Sequence, residues 1–438
     1  MVTEMLILGA VNGCLKLIVL FQEALLTNLL LALIYLAFIS LGLPDALLGS
    51  AWPAIYSDFM VTVSYAGIVS VIISLGTIVS SLLSDRLISW LGTGKITAIS
   101  VGLTAVAILG FGMAPNFWAL CVCAIPYGLG AGSIDVALNN YVALHFKSSH
   151  MNWLHCCWGI GATIGPYIMG AALAGGSGWR GGYWYAACIQ LGITAVLFLS
   201  LPLWKRGEQA DSAAVSSNYP DRGAEDDVPV KSEEIPEPKV QSARPRHLKL
   251  SEVVQIPGVK AMMVCFFCYS ALEHTIGLWA ATYLRLFKNM DAAAAAAFAS
   301  MVFLGITLGR AISGFLAMRY SDQQMIRSGM ILTALGLLML LIPGSAALAV
   351  CGIMAVGLGC SPIYPAMIHS TPQIFGRERS RAITGVQMSC FFVGVLIMPP
   401  LFGIVADRLS VGLLPVYLSI ALGVMAFMQY RLVRRVVH

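Results

Sequence analysis

The sequence predicts an all-α membrane protein with about twelve transmembrane helices in two six-helix halves. Composition comes first: 58% of the 438 residues are hydrophobic and only 11% are charged, against roughly 25% charged in a soluble domain. Apolar runs of about 20 residues then recur along nearly the whole length, the span that a hydrocarbon layer ~30 Å thick asks of a helix. Finally, one stretch in mid-chain, Lys205 to Lys249, has no such run and divides the others evenly.

Taken in order, the first twenty residues, MVTEMLILGAVNGCLKLIVL, are apolar but interrupted by Asn12 and Lys16. They read as an interfacial helix or an upstream extension, so residues 1–25 stand apart. No basic n-region or A-x-A exit accompanies them, and no cleavable signal peptide is expected. The N-terminal half, 26–204, holds spans at Leu29–Pro53, Ser64–Leu83, Ile96–Met113, Phe117–Leu144, Trp153–Leu173 and Trp184–Leu203. Residues 205–250 form a linker with an acidic run at Glu225–Asp227 and prolines at Pro220, Pro229, Pro236, Pro238 and Pro245. Such a composition cannot bury a core, so the linker is expected to be disordered or loosely tethered. The C-terminal half, 251–438, holds spans at Val259–Leu284, Ala294–Met318, Met325–Ile342, Ala346–His369, Ile383–Ala406 and Leu413–Leu432.

Orientation follows from the basic residues. One side collects Arg86, Lys95, Lys147, Lys205, Arg206, the linker, Arg319, Arg327, Arg377, Arg379, Arg381, Arg431, Arg434 and Arg435; the other has Arg180, Arg285, Lys288 and Arg408. The positive-inside rule puts both termini and the linker in the cytoplasm of a multi-pass cell-membrane protein. It also accounts for the formal charge of +5 without a nucleic-acid partner. The 11 cysteines are scattered, with Cys265 and Cys268 forming a lone CxxC and Cys156 and Cys157 adjacent. Without a second CxxC or a polar His pair they read as packing residues, and no metal or cofactor is expected.

The halves repeat. Gly128–Gly130 (Gly-Leu-Gly) returns at Gly357–Gly359, with Ile134 matching Ile363 and Ala137 matching Ala366. In this register Asp135 falls opposite Tyr364 and Asn140 opposite His369, on the fourth and tenth helices. Matched fourth helices in two six-helix halves resemble the major facilitator architecture, whose halves rock around a midplane site.

Of the 21 acidic residues, only Asp45, Asp135 and Glu273 fall well inside apolar spans, on the first, fourth and seventh helices. A carboxylate at mid-membrane costs several kcal/mol unless water, a cation or a proton relieves it, so each marks a functional candidate. Protonation would let a loaded cavity close and reopen across the membrane. Asp45 or Asp135 is the expected coupling group, with Glu273 a further candidate; the alternative is a carboxyl held by an amide for packing alone. Asp135 and Asn139 share a helical face with Gly128 and Gly132, and His155, Trp158 and Ala162 share one on the next helix, beside a Gly161–Gly165 groove. His155 is a ligand or an interfacial histidine. Arg310, inside the eighth span, holds a carboxylate or gates the cytoplasmic end; gating is the expected role, because Arg is costly to move. Trp52, Trp158, Trp279, Tyr364, Phe391 and Phe392, with Gln387 nearby, would offer aromatic faces and an amide to a sugar, although each Trp alone can serve as an interface anchor.

These residues resemble a family. Ser84-Asp85-Arg86, with Gly92 and Lys95 beyond, is similar to the major facilitator loop signature, with Ser81 standing where the pattern has glycine. GAGSIDVALNN resembles the fourth helix of the fucose:proton symporter group, Asp135 and Asn139 matching its acid–asparagine pair. MNWLHCCWGIGATIGP resembles that group's fifth helix: Asn152 matches, and His155 and Trp158 stand where the symporter has amides. In GLPDALLGSAWP, Asp45 lies one turn before the symporter's acid, and Gly49 takes that place. The stretch is similar to the wider sugar-transporter relatives, including the sodium-dependent glucose transporter type.

The resemblance implies a monosaccharide-like solute moved by alternating access on a proton or sodium gradient. Asp135 and Asp45 would take the proton and polar groups, Asn139, His155 and Gln387 the hydroxyls, and Trp158, Trp279 and Tyr364 would stack. Asp85 and Arg86, with Arg310, would form the cytoplasmic latch. The chain is expected to act as a monomer in the lipid bilayer. Two other readings are a proton-coupled exporter of drugs or amphipathic metabolites, and a non-transporting sensor or scaffold. No nucleophile–base set and no nucleotide-binding glycine loop is present, so neither an enzyme nor an ATP-driven pump is expected.

Overall fold

Hydrocarbon offers a backbone amide no partner, so a chain this apolar satisfies its amides within helices. The computed structural model describes residues 25–146, 148–204 and 250–436. Among these, twelve helices are long and apolar enough to cross a membrane: α1 (Leu25–Asp58), α2 (Tyr65–Ser84), α3 (Thr93–Met113), α4 (Phe117–Val142), α5 (Trp153–Ala174), α6 (Gly178–Leu199), α7 (Val259–Leu286), α8 (Ala292–Leu316), α9 (Asp322–Leu341), α10 (Ala346–Phe375), α11 (Ile383–Arg408) and α12 (Val411–Arg434). The expected extension before Leu25 and the linker from Lys205 to Lys249 lie outside the described residues.

Two boundaries differ instructively from the sequence reading. The first span continues past Pro53 to Asp58, and the sixth starts at Gly178 instead of Trp184. Both shifts have one cause. Asp58 accepts hydrogen bonds from Trp179 Nε1 at 3.1 Å and Arg180 at 2.5 Å, and Arg180 also donates to the Ala114 carbonyl at 3.1 Å. This clamp joins the ends of α1, α3 and α6, extending order beyond the apolar runs.

The repeated Gly-Leu-Gly does the same packing work twice. Gly128 lies against the Ile73 carbonyl of α2, as Gly357 lies against the Val302 carbonyl of α8. Gly130 lies against Ser100 and Thr104 of α3, as Gly359 lies against Thr333 of α9. A side chain at any of these positions would push apart helices whose backbones touch. Gly161 and Gly165 seat α1 on α5, against the Ile39 and Leu43 carbonyls.

The halves meet through α1 on α7, α2 on α11 and α5 on α8. Close approaches between them include those at Gly49 and Gly67. A Cβ on Gly49 would sit 2.7 Å from the Gly277 carbonyl oxygen, and one on Gly67 would sit 2.8 Å from Pro400 Cα. At the end that carries Asp58, both carboxylate oxygens of Asp407 accept the Ser64 backbone N–H, each at 3.1 Å. The cavity between the halves begins at this seal, beside Gly49, Gly277 and Pro399, and runs toward the basic end past Asp135.

Candidate functional site

Four-residue spacing on α4 aligns Tyr127, Ala131 and Asp135 along one face, and all three line a cavity of about 320 Å³. Across from them the wall is made by Asp45 of α1, Trp158 of α5, Glu273 and His274 of α7, Phe303 of α8, and Phe391 and Phe392 of α11. Three carboxylates from three helices therefore face one space.

Each is held differently. Asp45 accepts the Tyr127 hydroxyl at 2.6 Å on one oxygen and the Trp158 indole N–H at 2.9 Å on the other. Asp135 accepts the Asn139 amide at 2.9 Å. Glu273 instead faces a cation, with Arg310 at 3.6 Å. The Arg310 guanidinium lies 5.6 Å from the centre of the Trp158 ring. His274 turns Nδ1 to the Ser270 carbonyl at 3.2 Å and sets its ring edge-on to Phe391.

Of the residues singled out in the sequence, Asp45, Asp135, Glu273 and Trp158 come together on this cavity, and Asn139 adjoins it through Asp135. The others take different places. Trp279 is fully buried, its N–H donated to the Pro399 carbonyl at 2.8 Å and its ring edge-on to Phe402, so it is a packing residue and not a stacking platform. Gln387 is fully buried, pairs its amide with Thr371 at 2.9 Å and does not line the cavity. Tyr364 belongs to an aromatic layer with Tyr269 and Phe391, and its hydroxyl points at Met388 Sδ at 3.3 Å. His155 stands edge-on to Phe38 at 6.0 Å, away from the cavity wall.

Arg310, expected to hold a carboxylate or, preferentially, to gate the cytoplasmic end, has its guanidinium between Glu273 and Trp158, since a cation inside a membrane span needs a counter-charge. Arg86 is exposed, and the side chain of its expected latch partner Asp85 lies outside the described residues, as does that of Asn152. Sequence reasoning missed Tyr127 and His274. The i, i+4, i+8 series from Tyr127 to Asp135 could have revealed the first. His274 follows Glu273 directly, and although neighbours on a helix point about 100° apart, both line the cavity.

The sequence profile described as Major Facilitator Superfamily matches residues 34–355 and 262–437. "Bypass of stop codon protein 6" of Saccharomyces cerevisiae is 23% identical over 314 residues, covering 69% of this chain and 60% of that protein. "Uncharacterized transporter y4wD" of Sinorhizobium fredii is 28% identical over 116 residues, covering 26% of this chain and 31% of that protein. The chain thus spans less than two thirds of either relative. A crystal structure of a POT peptide transporter in complex with sulfate superposes with a TM-score of 0.65 at 13% identity, covering 92% of this chain and 93% of that one, a likeness of fold. With twelve spans, two pseudo-symmetric halves and that profile, the chain belongs to the Major Facilitator Superfamily and is a multi-pass membrane transporter rather than an enzyme.

Proposed function

We propose that this protein is a proton-coupled secondary transporter of a small polar solute of monosaccharide size, working by alternating access. The observation that carries the reading is the convergence of Asp45 and Asp135 on one cavity, with neutral hydrogen-bond donors as their partners. A carboxylate so placed is tolerated when charged and changes state by gaining a proton, which is what coupling requires. With both acids ionised, closing the cavity would strand charge in a dry space. Protonation and solute binding together remove that penalty, and the halves then swing. The swing parts the Asp58-end seal, including the Ser64–Asp407 hydrogen bonds.

The size class rests on the cavity, whose volume of about 320 Å³ falls at the low end of the ~300–1,000 Å³ range of ligand pockets. The carboxylates and Tyr127 suit hydroxyl groups, while Phe303, Phe391 and Phe392 offer the ring faces first sought at Trp279 and Tyr364. A second reading, export of an amphipathic compound, draws support from the apolar wall of Leu41, Leu48, Ile73 and Val395.

The deciding experiment is uptake of labelled monosaccharides and of lipophilic cations into proteoliposomes under an imposed pH or sodium gradient. Accumulation of a monosaccharide driven by the pH gradient alone is the expected result. Accumulation that follows sodium, or movement of the lipophilic cations only, would contradict the reading.

A further inference from the structure

Trp158 lies against ionisable partners in both halves. Its indole has two chemically distinct parts: an N–H at the edge that seeks an anion, and a face of negative potential that attracts a cation. The edge donates to Asp45 of α1 at 2.9 Å. The face carries Arg310 of α8, whose guanidinium lies 5.6 Å from the ring centre and 3.6 Å from Glu273 of α7. Phe303 abuts the ring edge-on at 6.1 Å and restricts its tilt. The next residue, Gly159, lets α5 lie directly on Thr307 of α8, so the ring stands beside a close contact of the seam between the halves.

We infer that Trp158 is a positioning residue that transmits the charge state of Asp45 across this seam to the Arg310–Glu273 pair. The inference rests on the coupling role proposed for Asp45. An ionised carboxylate accepts the indole N–H through a charge-assisted bond, roughly twice as strong as a neutral one. That bond keeps the ring face turned to Arg310 and holds α5 on α8. Once Asp45 is protonated the N–H is held weakly, the ring turns more freely, and Arg310 is left to its neighbours in the second half, Glu273, Tyr269 and Tyr364. Tyr127 and Asp135 belong to the first half, and His274, the remaining titratable neighbour, gives its Nδ1 to its own helix. The pairing thus links proton uptake in one half to loosening of the seam with the other.

Hydrogen exchange measured by mass spectrometry tests the link on the full chain in lipid nanodiscs at one fixed pH, with no solute or gradient. Peptides within Trp153–Ala174 and Ala292–Leu316 report the seam. Asp45→Asn is expected to raise their exchange about two- to fivefold, the range that loss of a ring–cation contact sustains. Trp158→Phe keeps the ring but removes the N–H; it should give the same rise, and the double variant no more than Trp158→Phe alone. Tyr127→Phe removes the other donor to Asp45 without touching the second half, and should leave the seam unchanged. No rise in Asp45→Asn, multiplied effects in the double variant, or an equal rise in Tyr127→Phe would each overturn the inference. Because the readout uses no transport, its failure is separable from failure of the coupling role: proton-driven accumulation lost in Asp45→Asn with an unaltered seam would leave the coupling role standing and remove only Trp158.

Discussion

The acids on the two sides of the cavity live under different rules. In the first half, Asp45 and Asp135 are surrounded by neutral donors: a phenol, an indole and an amide. In the second, Glu273 is set against the Arg310 guanidinium. Neutral donors soften the cost of a buried charge without cancelling it, so such a carboxyl can exchange its proton. The difference leaves the acids of the first half without a facing cation and gives the acid of the second half one, a division that pseudo-symmetric helix packing does not itself impose.

The strongest way to break this contrast is to remove one member of the Glu273–Arg310 pair. Glu273→Gln leaves Arg310 buried without a counter-charge, a change worth roughly 3–5 kcal/mol. A large fall in thermal unfolding temperature in detergent is expected, with much of it recovered in the Glu273→Gln/Arg310→Gln double variant. Asp45→Asn and Asp135→Asn lose no cation partner, so the same assay should show changes of about 1 kcal/mol or less for each. Equal destabilisation by all three single variants would erase the distinction.

A smaller effect is expected at the sealed end. Asp407→Asn keeps the shape but weakens the acceptor of the Ser64 N–H at the start of α2. Interactions of a charge with a helix N-terminus are worth about 0.3–1 kcal/mol. Exchange of amides at the start of α2 should therefore rise a few-fold, with thermal stability barely altered. Unchanged exchange there would show that the glycine contacts alone keep the seal.

The mildest outcome belongs to Trp279. Trp279→Phe forfeits one buried hydrogen bond to the Pro399 carbonyl, a loss of about 0.5–1.5 kcal/mol. Stability should fall slightly while the KM for solute stays put. A raised KM would return Trp279 to the binding surface.

What the sequence made legible was what hydrocarbon enforces. Apolar runs delimit helices because a lipid-exposed amide is intolerable, and Asp45, Asp135 and Glu273 stood out because charges there are rare. The Gly-Leu-Gly repeat was readable for a similar reason: the same close approach is needed in each half. Side-chain direction was not so constrained. Trp279 and Gln387 lie on helices that reach the cavity, yet one faces Pro399 and the other Thr371. Helical spacing fixes which residues share a face, not which neighbour that face meets. Arg310 illustrates the same limit, since its partner Glu273 lies on another helix and nothing in linear order links them. The end of α1 was hidden likewise, because the clamp from Asp58 to Arg180 joins residues far apart in the chain.

The central claim is that Asp45 and Asp135 carry the proton that couples the gradient to solute movement. Its most direct test is a paired measurement in proteoliposomes on a solute that the wild type accumulates: accumulation under an imposed pH gradient, and counterflow at equal pH, for wild type, Asp45→Asn and Asp135→Asn. The account predicts that at least one variant loses accumulation while retaining counterflow, since the halves still swing when no net proton moves. If both variants concentrate the solute as wild type does, the coupling site lies elsewhere and the account is wrong.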